Sequence, residues 1–156
     1  MGFATHLGPW LLGTVKNTTG STSGTIRNMG ATTASQSANV VFGTLTGTAF
    51  ALPAGAQITN MQFITSTVFS AATTAKLTIS STDITAATTV TSVAPYALAV
   101  ASTSGATALA LNVGTTDAVV TYTLAGTALS TGAGTFIVTY VVRDSSGNAN
   151  PPAAQQ

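Results

Sequence analysis

Apolar and polar positions along this chain recur in short alternating runs, and no stretch shows a convincing 3.6-residue period. The strongest run spans Leu52 to Phe69, where a Pro53-Ala54-Gly55 corner releases into a segment dense in β-branched and aromatic residues. Proline presets φ and glycine permits an unusual backbone, so the corner turns sharply before a strand begins. The strand over Ile58–Val68 is too long and apolar for an edge, which predicts a place inside a sheet. Thr135–Arg143 has a similar density and is its expected companion.

Around this centre the pattern predicts further strands. Lys76–Ser80 sends Leu77 and Ile79 inward and Lys76 and Thr78 outward. Ala38–Phe42 and Thr44–Leu52 read as two short strands broken at Gly43, and Ala108–Val113 and Ala118–Leu124 as two more. Thr82–Ala94 is ambiguous, with Thr89–Val93 open to strand or loop. Tyr96–Ala101 suits a short strand, although its alanines would tolerate a helix. Gly30–Ser37 reads as a small-residue linker and Thr127–Gly134 as a turn. Upstream, Pro9–Lys16 and Thr25–Met29 flank the polar turn Asn17–Gly24 as a hairpin or arm. The expected fold is all-β: an antiparallel, jelly-roll-like β-sandwich carrying an N-terminal extended arm. Residues 1–36 form the arm and linker, 37–143 the sandwich, and 144–156 a flexible tail with nothing to bury.

Composition sharpens this picture. Charged residues make up 4% of the chain, against about 25% in ordinary domains, and the net charge is +1. Glutamate is absent and threonine is the commonest residue, so hydroxyls must carry the solvation. Weak charge repulsion favours a protein that lives assembled with others. No run of about 18 apolar residues exists, which argues against a membrane-spanning helix. Four scattered basic residues give no footprint for nucleic acid. The N-terminus lacks a signal-peptide pattern, and His6 stands where a myristoylation motif wants Ser or Thr. The sequon at Asn17 therefore reads as chance in a Thr-rich chain.

Chemistry-bearing residues are sparse. There is no cysteine, one histidine, and three aspartates with no spacing that converges on a metal or proton-transfer pair. Asp83 and Asp117 sit in turn-like surroundings and suit Asx-turns; His6 suits a surface contact. No G-x-S-x-G and no phosphate-binding loop occur. The chain reads as a non-enzyme without cofactor or metal. Thr-x-Thr pairs (Thr44/Thr46, Thr65/Thr67, Thr89/Thr91, Thr121/Thr123) recur at unequal gaps, so no regular hydroxyl ladder follows. The exception to this plainness is Trp10, Leu11 and Leu12, adjacent in the arm, with Lys16 and Arg27 nearby. They either close one end of the core or dock on a partner, where Trp and Arg are enriched at energetic hot spots.

The Leu52–Ala56 corner leading into Ile58 and a long strand resembles a pattern of tailed-phage virion proteins. The closing Gly134–Tyr140 strand after a Thr/Gly turn resembles it too. The opening GPWLLGTVKNTTGSTSGTIRNMGA is similar to N-termini of proteins from short-tailed phages of marine bacteria. The likeness covers residues 8 to 143 and departs from many such proteins in lacking acidic residues after the central strand. It implies a structural virion protein on the capsid exterior: a decoration (cement) protein, trimeric, bound to the major capsid protein through Trp10, Leu11, Leu12, Lys16 and Arg27. The arm would face either capsid or sister subunits. A fibre or receptor-binding knob gripping a host glycan is the rival, with Tyr96 and Trp10 as its candidate aromatics. A carbohydrate- or ice-binding β-protein, suggested by the Thr-x-Thr pairs, is a further one.

Overall fold

The computed structural model describes residues 33–70, 72–126 and 130–142. They form two antiparallel sheets. Nine strands run in chain order: β1 (Thr33–Val41), β2 (Thr46–Leu52), β3 (Ala56–Thr67), β4 (Thr73–Ile79), β5 (Thr82–Asp83), β6 (Thr88–Val90), β7 (Pro95–Ala97), β8 (Ala118–Gly126) and β9 (Ala133–Val142). One helix, α1 (Ser104–Leu111), lies between β7 and β8. The first sheet has the order β1-β9-β3-β7; the second is β2-β8-β4-β5, with β6 also on β4. The all-β sandwich expected from the alternation is what forms.

β3 lies inside its sheet and pairs antiparallel with β9, so Phe63 stands opposite Phe136. Both rings are fully buried, with centroids 4.5 Å apart. From the second sheet, Tyr122 on β8 reaches within 5.7 Å of Phe136. Leu52, Leu77, Ile79, Val120 and Leu124 complete that side of the core. Each fully buried side chain of this size contributes about 1.5–3 kcal/mol, so the aromatic seam and its neighbours hold the sheets together. β4 keeps the expected beat, with Leu77 and Ile79 buried and Lys76 and Thr78 turned outward.

The corner before β3 is a turn closed by Ala56 N–H on Pro53 O at 3.0 Å, with Gly55 at φ 74. That positive φ is where glycine is needed. Asp117 reaches 63 residues back to accept the Ala54 N–H at 3.0 Å, and Gly55 donates to Gly114 O at 2.8 Å. Asp117 therefore braces the corner and does not close an Asx-turn of its own. Asp83 departs from the same expectation. It sits on β5, where Lys76 Nζ at 2.8 Å and Thr78 Oγ1 at 3.1 Å donate to its carboxylate.

Two readings of the pattern need correction. Ala108–Val113 is not a strand, because Leu111 ends α1. Thr103 caps that helix by accepting the Ala106 N–H at 3.2 Å, and Ala106 and Ala110, four apart, form its buried face. Nor are residues 33–37 a linker. They start β1, whose pairing with β9 runs unbroken from Thr33–Val141 to Val41–Ala133. β1 carries few apolar side chains because it is an edge strand with one face in solvent. At Tyr96–Ala101 the strand alternative holds in part: the stretch contains the end of β7 and an isolated bridge from Val100 to Thr85. The ambiguous 82–94 stretch resolves into β5 and β6, and β9 begins at Ala133 inside the expected turn.

Candidate functional site

Trp10, Leu11, Leu12, Lys16 and Arg27, the residues singled out for partner binding, lie outside the described residues, as do the hairpin, His6 and residues 143–156. The fold nevertheless locates where the arm attaches. Thr33 opens β1 opposite Val141, near the close of β9. The chain thus enters and leaves the sandwich at one end, beside the 53–55 corner and the 112–117 segment.

The opposite end is built from the β1–β2 turn, residues 68–70 after β3, the 91–94 loop and residues 130–132. Hydrogen bonds knit these pieces together. Phe42 N–H donates to Gly132 O at 3.0 Å, and Ser70 N–H donates to Thr131 O at 3.3 Å. Thr131 Oγ1 donates to Val68 O at 3.3 Å, and Ser130 N–H donates to Ser70 Oγ at 2.8 Å. On this hydrogen-bonded tip sit Val41 (54% exposed), Phe42 (43%), Leu45, Val68 and Val93 (60%). Single exposed apolar residues are ordinary; five of the nine exposed large apolar residues among those described belong to the connections at this end. No sequence signal set them apart, since each reads as the end of a strand.

Tyr96 steadies the Val93 loop. Its hydroxyl accepts the N–H groups of Thr91 at 2.9 Å and Ser92 at 2.7 Å, lies 2.9 Å from Ser92 Oγ, and donates to Ser92 O at 3.2 Å. Hydrogen bonding by the Ser92 side chain, opposed by desolvation and reinforced by Thr91 and the two backbone amides, lowers the phenol to about 8. Because the folded pKa lies below the ordinary 10, ionisation favours the folded state fully above pH 10. That contribution disappears as pH falls through 8, so it is absent at neutrality. Tyrosinate absorbance at 295 nm should show one of the three tyrosines titrating near pH 8, and Tyr96→Phe should remove that step. Three tyrosines all titrating near 10 would contradict the geometry.

Charge is nearly missing from this surface. Only Lys76, Asp83 and Asp117 are charged among the described residues. Lys76 and Asp83 form an ion pair at 2.8 Å that holds the Asp83 carboxyl below the usual carboxylate range, with burial opposing and Thr78 assisting. The outer face of the first sheet carries none. Ser35, Ser37 and Asn39 of β1 stand in register with Thr139, Ile137 and Thr135 of β9, and Gln62 and Ile64 of β3 continue those rows. Hydroxyls pair across the strands: Thr135 Oγ1 donates to Asn39 Oδ1 at 2.7 Å, and the Ser35 and Thr139 hydroxyls lie 3.2 Å apart. Among the described residues, no three His, Cys, Asp or Glu side chains gather where they could hold a metal ion. No helix there is long and apolar enough to cross a membrane.

No family model matches the chain, and no curated protein matches its sequence. Among solved structures, it is similar to one described as the acidic stable capsid structure of Helicobacter pylori bacteriophage KHP30. The TM-score is 0.47 and the identity 14%, over 69% of this chain and 86% of that one. A likeness of that size assigns no role.

Proposed function

We propose that this chain is a non-catalytic structural virion protein that binds the outer surface of a phage capsid as a homotrimer. It would bridge neighbouring copies of the major capsid protein. The observation that carries the reading is the charge-poor, hydroxyl-clad sandwich with an uncharged sheet face and an apolar tip. Such surfaces are buried at little desolvation cost, because no ions lose their water. The phage-like corner and closing strand in the sequence add support. Consecutive strands alternate between the sheets through most of the chain, which supports the jelly-roll part of the reading.

Cementing then follows from mass action. A ligand that binds only the expanded shell stabilises that shell against internal load. Threefold and quasi-threefold positions repeat over an icosahedral lattice, so a trimer presents three equal contacts to three equal sites, and their avidity multiplies a weak single contact. No proton transfer, metal or cofactor enters this action.

A fibre or receptor-binding knob is the second reading, favoured by one observation: the chain ends leave at one end and the apolar tip stands at the other. Tyr96 contributes little to glycan binding in that reading, since its hydroxyl is already engaged by the 91–92 backbone. Purified protein mixed with shells before and after expansion separates the two. Co-sedimentation with expanded shells alone, with a raised temperature of shell disruption, is the expected result. Failure to coat either shell, together with adsorption to host cells, would establish the knob instead.

A further inference from the structure

We infer that the apolar tip is a docking site for the Pro9–Leu12 segment of a second copy of this chain. The tip offers Val41, Phe42, Leu45 and Val68 on loops already fixed by hydrogen bonds. A preformed surface loses little conformational freedom when it is covered. With no charged residue at 33–70 or 130–142, it suits an uncharged, apolar occupant. Pro9-Trp10-Leu11-Leu12 is such a segment: large apolar side chains with no charged neighbour in the sequence closer than Lys16.

Chain length permits the contact. The 21 steps from Leu12 to Thr33 reach about 70 Å when extended. The nine residues of β1, which set the height of the sandwich, span about 30 Å. Thr33, where the arm joins, lies at the end opposite the tip, so a segment seated on another copy's tip links the attachment end of one copy to the tip of the next. That is a heterologous, head-to-tail arrangement, which closes when copies form a ring. Three apolar side chains fall short of the ~800 Å² per partner of an ordinary stable pair. A closed ring makes the contacts mutually supporting and offsets this shortfall. The inference goes beyond the cement reading and stands or falls separately from it.

The chain has no cysteine, so single introduced thiols report cleanly. Full-length Leu12→Cys and Val68→Cys variants, mixed and treated with a short bismaleimide, should give a covalent dimer joining one chain of each kind. Leu12→Cys mixed with Leu111→Cys should not, because Leu111 is exposed on α1, away from the tip. Equal linking at positions 68 and 111 would overturn the inference. So would linking confined within single chains of a Leu12→Cys/Val68→Cys double variant. Sedimentation gives an independent reading. Phe42→Ser and Trp10→Ala should each raise the concentration of half-association at least tenfold, and the double variant should do no worse than either. Leu45→Ser replaces Phe42→Ser if the latter lowers the melting temperature. Association unchanged by these variants also overturns it. Linked oligomers that ignore expanded shells would remove the cement reading and leave this one standing; shells coated by unlinked copies would do the reverse.

Discussion

Phe136→Ala should destabilise the sandwich by about 3–5 kcal/mol, read as a fall in the urea midpoint at unchanged slope. The side chain is fully buried and touches both layers, with Phe63 beside it on β3 and Tyr122 facing it from β8. Truncation removes the transfer free energy of a benzyl group and leaves a void between rings that neighbouring strands pin in register. Domains of ordinary stability hold only about 5–15 kcal/mol in total, so such a loss brings the variant near the edge of folding. Ile137→Ala, one residue on and directed to the outer face, should cost under half as much. Similar losses at both positions would mean that the sheets do not pack around the aromatic seam.

That seam was legible in the sequence, and the reason is local. Ile58–Val68 and Thr135–Arg143 each hold β-branched and aromatic residues over a full strand length, and no competing helical period overlaps them. β4 was legible through strict alternation. The errors fell where local signals agreed with two structures at once. Ala108–Val113 alternates leucine and alanine in a way that fits a strand. The capping threonine at 103 and the buried face made by Ala106 and Ala110, one turn apart, settle it as a helix. β1 opens Thr-Ala-Ser-Gln-Ser, which has no burial pattern of its own, and only the β9 ladder makes it a strand. The aspartates were misread for the same reason, since Asp117 meets Ala54 only after the chain has folded.

The tip was not legible at all. Val41, Phe42, Leu45, Val68 and Val93 come from three separate connections, and their nearness is a product of topology. The sequence instead drew attention to Trp10, Leu11 and Leu12, whose place outside the densest strand pattern is a one-dimensional feature. An apolar arm and an apolar socket are thus found by different means, one by reading and one by folding. Neither alone suggests that they meet.

Gly132 ties that socket to the core, and Gly132→Ala should disturb both together. The residue sits at φ +138, a conformation that strains any side chain by about 1–3 kcal/mol. A Cβ there would lie 2.0 Å from Phe69 Cδ1 and 2.5 Å from Cε1. Phe69 is buried with its ring 6.2 Å from Phe63, so it cannot withdraw without pressing on the seam around Phe136. The backbone at 130–132 must shift instead, giving up the Phe42 N–H to Gly132 O bond that holds the tip. Overpacking adds about 1–3 kcal/mol, for an expected loss of about 2–6 kcal/mol, read from the fall in the urea midpoint, with weaker self-association besides. Gly114→Ala is the control. Its φ of +114 imposes the same kind of strain, yet nothing lies within 4 Å of the added carbon, so only the conformational part should appear. Equal losses at 132 and 114 would show that Phe69 has room to move. A larger loss at 132 with unchanged association would show that the tip keeps its shape without Gly132, and that stability and docking are separable there.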